Sequence, residues 1–124
     1  MASAKDFSDR DLDLVTCFDV LHDLGDPVGA ATHIYRSLKP DGAWMLMEPL
    51  AGDATEDNLG PRGRVIYAIS TMACIPGSLS QEVGMALGAQ AGERKLTEVI
   101  QAGGFTRVRR VAETSPNMVL EARH

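Results

Sequence analysis

The sequence predicts an α/β fold in the order β-α-β, a helical insertion, α, and a closing antiparallel β-β hairpin. Three observations carry this. Two nearly continuous apolar runs, Leu12 to Phe18 and Trp44 to Met47, flank a segment with helical periodicity. An amphipathic stretch, "ERKLTEVIQAGGF", comes later and ends on a glycine pair. Two alternating segments, "FTRVRRVAE" and "NMVLEARH", close the chain, with "TSPN" between them as a turn.

The elements follow in order. The polar start, residues 1–10, is expected to be flexible. Leu12 to Phe18 reads as a strand covered on both faces, as in parallel sheets. Asp26 then supplies a helix N-cap and Pro27 a proline at the first helical position. Ala30, Ala31, Ile34 and Leu38 recur at helical spacing, and Pro40-Asp41-Gly42 ends that helix with a turn. Trp44 to Met47 is the second strand, stopped at Glu48-Pro49. Strand, helix and strand make a right-handed crossover between parallel strands. Residues 53–92 form the insertion: an acidic, Gly-rich loop, a helix over about Pro61 to Cys74 broken at Pro76-Gly77, and a weaker helix in "SLSQEVGMALGAQ". There Gly84, Gly88 and Gly92 fall four apart, a spacing that lets a neighbouring helix approach. In the next helix Leu96, Val99 and Ile100 share a face, and Gly103-Gly104 stops it.

At 124 residues the chain fits one domain, 1–124, able to bury a single core. A formal charge of −5 argues against nucleic acid, because phosphate binding needs a basic face. Cys17 and Cys74 form no C-x-x-C pair, so reduced thiols are expected. No signal-peptide stretch and no membrane-span window occur, so the expected location is cytoplasmic and no membrane partner is expected. No group of Cys, His and carboxylate has metal spacing along the sequence, and no metal is expected.

The segments "DLVTCFDVLHDLGDP", "SLKPDGAWMLMEP" and "AGGFTRVRRVAETSPNMVLEAR" resemble the second half of a class I S-adenosylmethionine-dependent methyltransferase, of the small-molecule O-methyltransferase kind. The likeness runs from about Ala4 to the C-terminus. It implies a truncated Rossmann-like methyltransferase sheet. In the family the strand order is 3-2-1-4-5-7-6, and this chain would supply strands 4, 5, 7 and 6. The family's Gly-rich loop after its first strand is not found here. Gly60-Pro61-Arg62-Gly63 follows an acidic loop, and Gly103-Gly104 ends a helix rather than opening one. The resemblance thus implies that the first three strands are missing, through a fragment or through a split or truncated gene.

The resemblance also implies a cofactor, S-adenosylmethionine, a small-molecule acceptor and a set of site residues. His22 falls where related enzymes carry a general base, and a histidine titrating near neutrality suits proton removal from an acceptor hydroxyl. Asp23 or Asp26 would orient it. The alternative is a capping or solvated histidine. Asp19 would approach the methionine end of the cofactor or open a turn. Cys17 and Phe18 close the strand where backbone groups face the cofactor. Asp6 and Phe7 match an adenine contact or belong to a loose start. Glu48 would reach substrate or end the strand in solvent. Without its neighbours, the strand over residues 12–18 becomes an apolar edge with no lysine or proline to protect it. A homodimer through that strand or the flanking helices is therefore expected. The chain would be either an enzyme part, inactive when isolated, or a non-catalytic methyltransferase-like module for dimerisation or partner binding.

Overall fold

The computed structural model describes residues 3–124. The first two residues of the expected flexible start, Met1 and Ala2, lie outside that range. From Ser3 onward the segment is tied to the body. Phe7 meets the His33 ring edge-on at 4.4 Å, and its carbonyl lies 2.8 Å from His33 Nε2. The Lys5 ammonium reaches Asp26 at 3.3 Å.

Strand β1 (Leu12–Phe18) leads through a 3₁₀ turn (Leu21–Asp23) to helix α1 (Pro27–Ser37) and strand β2 (Leu38–Pro49). The cap works as the sequence predicts: Asp26 Oδ1 accepts from the Gly29 N–H at 2.8 Å. A second 3₁₀ turn (Thr55–Asn58) precedes α2 (Pro61–Ile69), a π-helical turn (Ser70–Cys74) and α3 (Ile75–Leu79). Helix α4 (Gly92–Ala102) and the hairpin β3 (Arg107–Thr114) and β4 (Asn117–Arg123) complete the order.

The sheet order is β1-β2-β4-β3. β1 and β2 are parallel, with Val15 opposite Trp44 and Phe18 opposite Met47. β4 runs antiparallel to both β2 and β3. Helices α1 and α4 pack against each other and close one face. Their contact is tight, since a Cβ on Gly103 would sit 2.4 Å from Ala31 Cβ. Trp44, Leu46, Met118, Leu120 and Ala122 point into this layer, with Ile34, Leu96, Val99, Ile100 and Phe105 opposite them. Sheet alternation puts the other set, Leu14, Phe18, Met45, Met47 and Val119, on the far face.

Four expectations are corrected. β1 is covered on one face only: Leu14 and Phe18 are exposed on the other. β2 starts at Leu38, directly after α1, and takes Pro40-Asp41-Gly42 into a register shift opposite Leu12 to Leu14 instead of a separate turn. The helix is not broken at Pro76-Gly77. It widens into the π turn just before Pro76, with Ile75 N–H bonding to the Ser70 carbonyl five residues back, which relieves the proline's clash with the preceding turn. The weaker helix after Ser80 does not form. Val83, Gly84, Ala86 and Gly88 all have φ between +52° and +76°, a left-handed region that excludes a right-handed helix. That segment is an irregular strap; Gly84 and Gly88 supply its left-handed turns, and Gly88 also lets the helical insertion approach, since a Cβ there would lie 2.9 Å from Ser70 Oγ and Ile75 Cδ1.

Candidate functional site

The parallel strands β1 and β2 end side by side, and the chemistry-bearing side chains gather there. Asp19 leaves β1 with φ +54° while its N–H donates to the Met47 carbonyl at 2.8 Å. That left-handed residue turns the chain sharply over the end of β2. The next two amides, Val20 and Leu21, donate to Glu48 Oε1 at 3.1 and 2.7 Å. The other carboxylate oxygen, Oε2, lies 2.5 Å from His22 Nδ1. Glu48 is 1% exposed and His22 3% exposed, so this is a buried pair whose second oxygen is satisfied by backbone. Burial alone pulls the His22 imidazole down. The bond to Glu48 and the charges of Glu48, Asp23 and Asp19 outweigh it and raise the imidazole above its ordinary range.

Across the ring, Nε2 faces Asp23 Oδ1 at 3.3 Å. That oxygen is buried yet has no hydrogen-bond partner, although the Asp23 side chain as a whole is about half exposed. The π turn brings Cys74 to the same spot, so that donor atoms of His22, Asp23 and Cys74 all lie within 4.8 Å of one another. Asp19, His22 and Glu48 form a second such group. Sequence spacing shows no metal cluster; the fold brings Cys74 to His22 from some fifty residues away, and Glu48 from about half that separation. Burial, then the neighbouring Asp23, push the Cys74 thiol up to about 11.

The insertion roofs this end of the sheet. Arg62 at the start of α2 donates to the Pro116 carbonyl in the β3–β4 turn. At the far end Ser78 Oγ donates to the Leu24 carbonyl at 2.8 Å, and Gln81 accepts from Gly25 N–H while donating to the Asp23 carbonyl. The strap beyond is latched by Met85 N–H to the Gly25 carbonyl at 2.8 Å and by Ala89 N–H to Ser70 Oγ at 3.0 Å. A cavity of about 310 Å³ opens beside it, lined by Lys5, Leu24, Asp26, Gln81 and Glu82. It does not include Asp19, His22 or Asp23.

The predicted site residues are therefore divided. His22, Asp23 and Asp19 come together. Cys17 turns to the core face beside Trp44, where burial raises its thiol pKa, and Phe18 points to the open face. Asp6 accepts from the Ser3 N–H at 2.6 Å, and Phe7 packs on His33 of α1. Neither of these two is hydrogen-bonded to the His22 cluster. The carboxylate bonded to His22 Nδ1 is Glu48, while Asp23 lies at Nε2 and Asp26 caps α1; Glu48 is buried instead of ending its strand in solvent. The signal for it was an acid at the carboxyl end of the apolar run "WMLMEP".

A sequence model of a methyltransferase-domain family matches residues 2–86, more than half of the chain. The chain belongs to that family. No curated protein matches its sequence. Among solved structures, TnmH superposes with a TM-score of 0.75 at 17% identity, over 98% of this chain and 33% of its own. Human N-acetylserotonin methyltransferase, solved with SAM, gives 0.69 at 21% identity, over 98% and 32%. PigF, solved with SAH, gives 0.67 at 16% identity, over 98% and 33%. The chain thus spans about a third of the length of the solved structures it matches. At these identities the likeness is one of fold, and the sheet order is the expected 4-5-7-6 of a Rossmann-like methyltransferase sheet. No helix among the described residues is long and apolar enough to cross a membrane.

Proposed function

We propose that this methyltransferase chain carries the acceptor-activating wall of a site that moves the methyl group of S-adenosylmethionine to a hydroxyl of a small molecule. The observation that supports this is the buried Glu48–His22 pair at the carboxyl ends of two parallel strands, where α/β sheets bind ligands. When bound, the cofactor supplies an electrophilic methyl group. Glu48 fixes the imidazole so that Nδ1 keeps its proton and Nε2 presents a lone pair. Nε2 takes the acceptor's proton as its oxygen attacks, and Glu48, with Asp23 alongside, stabilises the imidazolium formed. Asp19, exposed at the strand exit, would be placed to approach the cofactor's methionine end.

The fit to the cofactor is partial. No glycine-rich turn follows a strand among the described residues, so one wall is offered where two are needed. The isolated chain is accordingly expected to bind weakly and to be inactive. A titration of the labelled chain with S-adenosylhomocysteine, followed by amide NMR, tests both parts. Weak, saturable shifts confined to Asp19–Asp23 and Glu48 are expected. Micromolar affinity would overturn the half-site, and no shift at any concentration would overturn the enzyme reading.

A second reading, a non-catalytic dimerisation module, rests on a separate observation. β1 is an edge strand of the described sheet, and Leu14 and Phe18 on its open face are 55% and 56% exposed. A second copy pairing along β1, or seated on the apolar flank of α2, would cover them. Sedimentation of the chain and of a Leu14→Lys variant tests this: a dimer that the variant loses supports it, and a monomer at micromolar concentration sinks it. The unbridged Cys17 and Cys74 support a reducing compartment such as the cytoplasm.

A further inference from the structure

We propose that His22, Asp23 and Cys74 form a zinc site, with the imidazole Nε2, a carboxylate oxygen and the thiolate sulfur as three protein ligands and a fourth position open. Four features of the structure converge on it. The three donor atoms lie within 4.8 Å of one another, close enough for one ion to bridge all three. Asp23 Oδ1 is buried and makes no hydrogen bond of good geometry, and its polar neighbours are the other two candidate ligands, His22 Nε2 at 3.3 Å and the Cys74 thiol. Glu48 holds the opposite ring nitrogen at 2.5 Å, the carboxylate–histidine arrangement that orients imidazoles on metals. The sulfur comes from a π turn, a feature that recurs at functional sites.

The donor set selects the ion. A thiolate with an imidazole is too soft for magnesium or calcium and suits zinc, which accepts three protein ligands and one open position. The frame is rigid enough to hold it. The 3₁₀ turn is pinned by two amides on Glu48, and the α3 end is latched to Leu24 and Gly25 through Ser78 and Gln81. Zinc takes a thiolate and a neutral imidazole, so binding displaces protons from the ligands to solvent. A bound ion also occupies the lone pair that proton abstraction needs, which would make the site a brake on methyl transfer. The site itself stands or falls without that reaction.

The test uses the full chain with Co²⁺ and Zn²⁺ and no cofactor. One equivalent of Co²⁺ should give a sulfur-to-metal absorption band in the near ultraviolet, and one equivalent of Zn²⁺ should abolish it. Cys74→Ser should remove the band, and Asp23→Asn should weaken Zn²⁺ binding measured against a chromogenic chelator. Glu48→Gln should weaken it by about 10–100-fold. His33→Ala should leave it unchanged. Circular dichroism establishes that each variant is folded. Absence of the band in the parent chain, or Zn²⁺ affinity unchanged in folded Cys74→Ser and Asp23→Asn chains, overturns the assignment.

Discussion

Replacing Glu48 with glutamine isolates the charge of the buried pair from its shape. The amide keeps an oxygen that can accept from Val20 and Leu21, so the turn over β2 retains its two backbone bonds. The atom that meets His22 Nδ1 becomes an NH₂ group. A protonated imidazole then faces a donor, and the charge-assisted bond at 2.5 Å is lost. Such a bond contributes about 1.5–3 kcal/mol. For a chain of this size that corresponds to a melting point lower by roughly 5–10 °C. The effect depends on pH with a definite sign. Folding raises the His22 pKa, so its contribution is fully present below the unfolded value of about 6.5 and fades as pH rises through the folded value. Above that, a neutral imidazole can accept from the glutamine, and the penalty shrinks. Thermal melts of both proteins at pH 5.5, 7 and 8.5 check this. A variant with the parent's melting point at pH 5.5, or a gap that grows with pH, would refute the reasoning.

Three further outcomes follow from named contacts. Asp26→Ala removes the cap on Gly29 and should cost about 1 kcal/mol in denaturant unfolding, with the slope unchanged. Gly63→Ala would drive a Cβ to 1.6 Å from the Asn58 carbonyl oxygen, a backbone atom that cannot step aside, so a loss of about 1–3 kcal/mol or more is expected in the same assay. Burial and the neighbouring Asp23 push the Cys74 thiol up, and burial raises Cys17 as well, so mass spectrometry should find both slow to alkylate until denaturant is added.

The elements legible in the sequence are those whose signals are local. Asp26-Pro27 opens α1 and Gly103-Gly104 closes α4, because a cap and a stop act within one turn of the chain. Leu96, Val99 and Ile100 are buried together as their spacing predicts. The misreadings arise where distant contacts decide. Pro76 is ordinarily a helix breaker, yet a π turn absorbs it. The stretch after Ser80 has helix-like spacing, but it is committed to the strap by the Gln81 side chain and by the Met85 and Ala89 amides. Glu48 looks like a solvent-facing strand end until Val20, Leu21 and His22 fold over it. The meeting of Cys74 with His22 depends on the whole insertion closing over the sheet, which no local pattern encodes.

The position of β4 bears on how this fold is made. It lies inside the sheet, between β2 and β3, and aligns Trp44 with Ala122 across most of the chain. On a ribosome, β1, α1 and β2 emerge before the hairpin and wait with one flank of β2 open until it arrives. Pairing across so long a loop is slow, because the closure entropy precedes the reward. During that wait the apolar residues of β2 are exposed to the nascent chain's surroundings, so chaperone dependence should concentrate in this interval and a hairpin that folds faster should relieve it.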